Sequence, residues 1–111
     1  MSKSSIIIDV TLDEKRVPEQ IQWKASESTA DSTRIARGMM LSFWDGSDKS
    51  ALRIDLWTKD MPVDEMKRFF YETLQTMGDS FLRATGETNI VEDLRDYCAH
   101  FTDKMELSQN K

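Results

Sequence analysis

The segment ALRIDLWTKDMPVDEMK, residues Ala51–Lys67, contains the end of a predicted sheet and the start of a predicted helix. Its first half alternates apolar residues with charged or aromatic ones, which is the period-two pattern of a strand that is buried on one face. The side chains assigned to the buried face are Leu52, Ile54 and Leu56. Pro62 then suits the first turn of a helix, and Asp64 and Glu65 suit its positive end.

Three further strands are predicted upstream of this segment. They cover roughly residues 5–12, Ile21–Ala25 and Ala36–Trp44, where apolar residues alternate or run together. The first connection, DEKRVPEQ, contains Pro18, which is incompatible with a regular central strand. The last connection, DGSDKS, begins with the Asp-Gly pair that favours a hairpin turn. The small polar stretch from Ser26 to Arg34 is interpreted as a loop.

Two helices are predicted after the strands. Apolar residues recur at three- and four-residue steps from Met66 to Phe81, and Gly86 is a suitable helix end. Asn89 and Glu92 have the spacing of a capping box at the start of the second helix. The order β-β-β-β-α-α predicts an α+β fold, in which a four-stranded antiparallel sheet is followed by two C-terminal helices.

Composition restricts the classes of function. A chain of 111 residues is most simply a single domain, 1–111. Its net charge of −5, with 15 basic residues scattered among 20 acidic ones, argues against nucleic acid as a partner. We expect a cytoplasmic protein without direct membrane insertion, because the N-terminus lacks a signal-peptide pattern and no apolar run could span a bilayer. The single cysteine, Cys98, agrees with a reducing compartment.

The residue pattern does not indicate an enzyme. The single histidine, His100, lies two residues after Cys98 on a predicted helix, and side chains at that spacing do not face each other. Cys98 is therefore expected in the apolar stripe, and His100 at its edge or on the surface. The chain contains no phosphate-binding glycine motif, no nucleophile elbow and no recognisable metal-ligand spacing. We expect no catalytic residues, no cofactor and no metal site.

The tryptophans suggest contacts with another protein. On the side of the sheet opposite the predicted core, the pattern places the apolar residues Met40, Trp44 and Trp57, with Arg53 and Asp55 as their polar neighbours. A surface patch of tryptophan and methionine is typical of a protein–protein interface. The alternative is that helices or loops cover both faces of the sheet. We expect a protein partner or client, and self-association into a homo-oligomer, either a dimer or a tetramer.

A second function remains open at this point. The sheet and the long helix could enclose a pocket lined by Trp23, Phe69 and Phe70, which would make the chain a small-ligand binding protein or an unrecognised enzyme. Trp23 shares its predicted strand face with Ile21, so its simplest role is as a core residue. Arg53 and Asp55 are the polar residues of the last predicted strand that could serve such a site, but a salt bridge between neighbouring strands is their expected role.

RIDLWTKDMPVDEMK, residues Arg53–Lys67, resembles the signature segment of the gliding motility-associated protein GldC of Bacteroidetes. Val17-Pro18-Glu19, Phe81-Leu82-Arg83-Ala84-Thr85 and Asp96-Tyr97-Cys98-Ala99 extend the resemblance over nearly the whole chain. The resemblance implies a small accessory factor that improves gliding without forming its motor, and it implies no catalytic residues. A supporting role in secretion or envelope-protein assembly would fit such a factor.

The order of elements is also similar to the export chaperone SecB. That likeness implies assembly into tetramers and apolar grooves for unfolded clients, but it concerns architecture alone and is a weak guide to function.

Overall fold

A computed structural model describes residues 2–26 and 33–105 of the chain. The elements are β1 (Ile6–Leu12), β2 (Pro18–Ala25), β3 (Arg34–Ala36), β4 (Gly38–Asp45), β5 (Ser50–Trp57), α1 (Val63–Thr85) and α2 (Thr88–Met105). The α+β class and the two C-terminal helices are as predicted. Contacts divide the chain into two compact units, Met1–Met61 and Pro62–Lys111. The prediction that they form one domain stays a prediction.

The predicted single sheet of four strands is wrong, because the strands form two antiparallel sheets. One has the order β1-β2-β3 and the other pairs β4 with β5. The chain changes partner at Arg37, which separates β3 from β4 within the strand predicted at Ala36–Trp44. The Arg37 carbonyl accepts a hydrogen bond of 2.8 Å from the backbone N–H of Thr58, directly after β5. Arg34, assigned to a loop, lies in β3, and residues 27–32 of that loop lie outside the described residues.

The turn between β1 and β2 is organised by Asp13. One oxygen of its carboxylate accepts hydrogen bonds from the backbone N–H groups of Lys15 and Val17, at 2.8 and 2.9 Å. Arg16 completes the turn with a positive φ of 65°. Pro18 then opens β2, a position at which its missing N–H removes no bond from the middle of a ladder. The second predicted strand is therefore longer at its start than expected.

β4 and β5 form a two-stranded hairpin, referred to below as the ribbon. Its turn is the predicted one, since Asp45 accepts hydrogen bonds from the backbone N–H groups of Ser47 and Asp48. Met39 lies opposite Leu56, and the register continues without a break from Gly38↔Trp57 to Asp45↔Ser50. In antiparallel pairs, directly opposed residues share a face, so this register decides which ribbon side chains lie together.

The second unit, referred to below as the helical unit, contains α1 and α2, and both helices follow their predicted boundaries closely. Pro62 immediately precedes α1, and Gly86 ends it in the left-handed conformation, with its N–H donating to the Leu82 carbonyl. α2 begins at Thr88, one residue before the predicted cap at Asn89. Gly78 is buried, and a Cβ at this position would lie 3.3 Å from a Leu94 methyl, so the missing side chain permits the close approach of α1 and α2.

The core is thin. Among the described residues, the buried apolar side chains are Ile21, Val91 and Cys98. Trp23, predicted as a core residue on the same strand face as Ile21, is partly exposed. Many large apolar side chains thus remain in contact with solvent when the chain is alone.

Candidate functional site

The ribbon register brings all five predicted interface residues onto one face. Met40 lies opposite Asp55, Trp44 opposite Ala51, and Trp57 opposite Gly38. The tryptophan face is the name used below for Met40, Trp44, Arg53, Asp55 and Trp57. The shared face follows from the alternation of side chains along paired strands.

The two tryptophans of this face are exposed. Trp44 keeps 68% of its accessible surface and Trp57 keeps 53%, whereas Met40 is half-buried. Because Trp44 lies near the hairpin turn and Trp57 at the far end of the ribbon, the two indoles do not form one patch within a chain. The surface instead has an aromatic group at each end and charged residues between them.

Arg53 and Asp55 form a bidentate ion pair with each other. Arg53 Nη2 lies 2.8 Å from Asp55 Oδ1, and Arg53 Nε lies 3.2 Å from Oδ2. The two residues are neighbours on one face of the same strand, so the expectation of a bridge between neighbouring strands was wrong. The pair removes net charge from the centre of the tryptophan face while both side chains stay substantially exposed.

The opposite side of the ribbon is referred to below as the aliphatic face. Its residues are Met39, Leu41, Phe43, Leu52, Ile54 and Leu56. None of them is charged, and Leu52 and Ile54, predicted as core anchors, are 58% and 49% exposed. The prediction that Leu52, Ile54 and Leu56 anchor the core is thus wrong for Leu52 and Ile54, while Leu56 is half-buried. Period-two alternation identified the face correctly but could not show whether anything covers it.

A polar cluster after β5 has no counterpart in the sequence predictions. Lys59 Nζ lies 3.0 Å from Asp13 Oδ2 and 3.4 Å from Glu19 Oε2, and its backbone N–H donates to the Pro18 carbonyl. Lys59 thereby ties the end of β5 to the turn between β1 and β2. Thr58 and Asp60 also belong to this cluster, because Thr58 is buried and its hydroxyl donates a 2.6 Å hydrogen bond to Asp60. These residues of the WTKDMP segment therefore have a structural role.

Hydrogen bonds within the cluster shift the pKa values of Asp13, Lys59 and Asp60. Hydrogen bonds from the Val17 backbone and from Lys59 lower the pKa of the Asp13 carboxyl. The acceptors Asp13 and Glu19 raise the pKa of the Lys59 ammonium. The hydroxyl of Thr58 lowers the pKa of the Asp60 carboxyl. All these directions favour the charged forms, so the cluster is a structural ion network and not a set of groups poised to exchange protons near neutral pH.

The cysteine and the histidine lie as predicted. Cys98 is buried in α2, and burial raises the pKa of its thiol, which disfavours the reactive thiolate. His100 is exposed, with its ring centroid 6.2 Å from that of Tyr97. Within residues 2–26 and 33–105, no cluster of three histidine, cysteine or acidic residues could hold a metal ion. No helix in the described part of the chain is long and apolar enough to cross a membrane.

The helical unit carries an open apolar groove of about 490 Å³ between α1 and α2. Its lining includes Met77 and Phe81 from α1 and Ile90 and Leu94 from α2. Its lining is almost entirely apolar and thus lacks the converging polar groups that orient a small ligand. Of the residues expected to line a ligand pocket, Phe70 is exposed on α1 and Trp23 is partly exposed on β2.

Taken together, the fold and the surface define a small α+β protein with exposed aromatic and aliphatic residues on a two-stranded ribbon. Residues 18–107 match the family model of gliding motility-associated GldC-like proteins. The chain therefore belongs to the GldC-like family, and the resemblance seen in the sequence is confirmed. No curated protein and no solved structure is significantly similar to the chain.

Proposed function

We propose that this chain is a non-catalytic cytoplasmic accessory protein of gliding motility that acts through contact with another protein. The observation that supports this proposal most directly is the exposure of Trp44 and Trp57 on one face of the ribbon. Membership of the GldC-like family supplies the association with motility.

The chemistry of the tryptophan face fits protein recognition. Tryptophan and arginine are enriched among the residues that contribute most to binding energy at interfaces. Arg53 and Asp55 satisfy each other, so a partner can cover them without leaving an isolated charge. Burial of the exposed parts of Trp44 and Trp57 would supply the apolar contribution, at roughly 25 cal/mol per Å² removed from water.

A catalytic role has little support from the described residues. The buried thiol of Cys98 is protected from reaction, and the lowered pKa values of the Asp13 and Asp60 carboxyls favour their charged forms. The presence of only one cysteine is consistent with function in the reducing cytoplasm.

The test replaces the native gene, in a gliding bacterium that carries it, with the double variant Trp44→Ala, Trp57→Ala. We expect slower colony spreading at unchanged protein level, because the contacts to the partner are lost. Tyr97→Ala on α2 is the matched control, since Tyr97 is 52% exposed and Trp57 is 53% exposed. Normal spreading of the double variant would refute the proposal, as would equal defects in the double variant and the control.

The aliphatic face favours a second candidate function, chaperone-like holding of client segments during secretion or envelope-protein assembly. Phe43, Leu52 and Ile54 are exposed on that face. An extended client segment could pack its own apolar side chains on them. The purified protein would then suppress aggregation of a chemically denatured test protein, and Leu52→Ser would weaken this suppression. Absence of any suppression at a several-fold molar excess would exclude this function.

A further inference from the structure

We propose that β5 pairs with β5 of a second copy of this chain, in antiparallel orientation and centred on Ile54, to give the four-stranded sheet β4-β5-β5-β4. Within the described residues, β5 is hydrogen-bonded in a ladder on one side only, by β4. β2 contacts β5, and the Lys59 N–H directly after β5 donates to the Pro18 carbonyl, but in the described part of the chain β2 and β5 form no ladder. The edge of β5 away from β4 therefore offers backbone groups that are a template for another strand. A two-stranded hairpin alone is marginally stable in water, so added strands would stabilise the ribbon.

The charges of β5 are self-complementary in this arrangement. Pairing about Ile54 places Arg53 opposite Asp55 of the second copy, and Asp55 opposite Arg53 of the second copy. Directly opposed residues of opposite charge stabilise an antiparallel pair. The bidentate geometry already seen along one strand shows that both side chains lie on the same face and can reach each other. Arg53 and Asp55 of one copy can thus also form ion pairs with Asp55 and Arg53 of the second copy.

The neighbouring registers are less favourable. Centring the pair on Arg53 or on Asp55 would place two like charges directly opposite each other, which is destabilising. Centring it between two residues would oppose the aliphatic face of one copy to the tryptophan face of the other, because a shift by one residue exchanges the faces of a strand. Of the registers at the middle of β5, the one centred on Ile54 therefore combines opposite charges with matched faces.

The apolar side chains are also matched in this register. Leu52 lies opposite Leu56 of the second copy, and the two copies of Ile54 oppose each other. The aliphatic faces of the two copies thereby join into one continuous apolar surface without a charged residue. A second copy is favoured over a different protein because the complementary sequence is β5 itself.

The pairing also changes the tryptophan face. Trp57 of the second copy would lie opposite Ala51, which in turn lies opposite Trp44 within the chain. The small Ala51 would separate the two indoles by roughly two strand spacings, about 10 Å. Two tryptophans that lie at opposite ends of one ribbon would become neighbours in the pair of chains. This inference goes beyond the proposed function and does not need it, since a dimer could form whether or not a motility partner binds.

The test uses two charge variants, Arg53→Asp and Asp55→Arg, with light scattering after size exclusion at tens of micromolar. Wild type should have the mass of two chains. Each variant alone opposes like charges at both positions, and we expect it to dimerise roughly 10- to 100-fold more weakly and to elute as one chain. An equimolar mixture should recover the mass of two chains, because each variant supplies the charges that the other lacks.

The mixture isolates the contact between chains from the ion pair within a chain. Neither variant regains its own Arg53–Asp55 pair on mixing, and both variants keep a net negative charge, so recovery requires opposed charges across the interface. Circular dichroism of each variant shows whether the fold is retained. A monomeric wild type, dimeric single variants, or a folded mixture that stays monomeric would each overturn the pairing. The proposed function is judged separately, by colony spreading of the tryptophan variant.

Discussion

Ile54→Thr tests whether the outer edge of β5 is free in solution or paired with a second chain. Ile54 is 49% exposed in β5, and Ile90 is 48% exposed in α2, so the two isoleucines bury nearly equal fractions within the chain. Threonine keeps the branched Cβ at both positions, which limits changes in backbone preference. A difference between Ile54→Thr and Ile90→Thr therefore reports mainly what covers each site in solution.

The size of the effect follows from the exposed fraction of each side chain. Full burial of an isoleucine contributes about 1.5–3 kcal/mol, so the half that is buried within the chain contributes about 1 kcal/mol at each site. We expect both substitutions to lower the free energy of unfolding by about that amount in dilute solution. Pairing of β5 would bring the two copies of Ile54 into direct cross-strand contact, and such a contact contributes roughly 0.2–1 kcal/mol, which Ile54→Thr alone would weaken.

The assay is urea unfolding followed by circular dichroism, at about 1 µM and about 100 µM protein. Association stabilises the folded state by mass action, so the unfolding midpoint of the wild type should rise with concentration. We expect Ile54→Thr to reduce this rise and Ile90→Thr to preserve it. Equal losses of stability for the two substitutions at both concentrations, with a midpoint independent of concentration, would show that β5 is not paired with a second chain.

Three further predictions concern the fold. Gly78→Leu should lower the free energy of unfolding by about 2 kcal/mol or more, because its side chain would displace Leu94 from the contact between α1 and α2; thermal unfolding measures this. The pKa of Asp13 is lowered by folding, so the stability it contributes is complete above the ordinary carboxyl pKa of about 4 and is lost as pH falls through the folded-state pKa. Wild type should thus lose stability more steeply below about pH 4 than Asp13→Asn does, in urea titrations at several pH values. Cys98 should react with a thiol reagent much more slowly in the native chain than in urea, and equal rates would contradict its burial.

Local elements were predictable because they depend on periodicity and on a few turn residues. The alternation in β5, Pro62 before α1 and Gly86 after it act through neighbouring residues, and the structure follows them. The division into two sheets was not predictable in this way. It depends on Arg37, which lies between β3, paired with β2, and β4, paired with β5. No local pattern distinguishes Arg37 from the strand residues around it.

The candidate site shows the same limit. Alternation assigned Trp44 and Trp57 correctly to one face and Leu52 and Ile54 to the other, because side chains on a strand point alternately to opposite sides. It could not decide which face is covered, since burial depends on elements distant in sequence. The role of Lys59 was missed for a related reason, because its partners Asp13 and Glu19 belong to a turn and a strand far upstream.

Site-specific photo-crosslinking in living cells tests most directly whether the tryptophan face contacts another protein. A photoreactive phenylalanine derivative is placed at Trp44, and separately at Tyr97 on α2 as the control. We expect a discrete crosslinked species from position 44 that is absent from position 97, and its mass distinguishes a second copy of the chain from a different protein. No crosslinked species from position 44, or the same pattern from both positions, would contradict it.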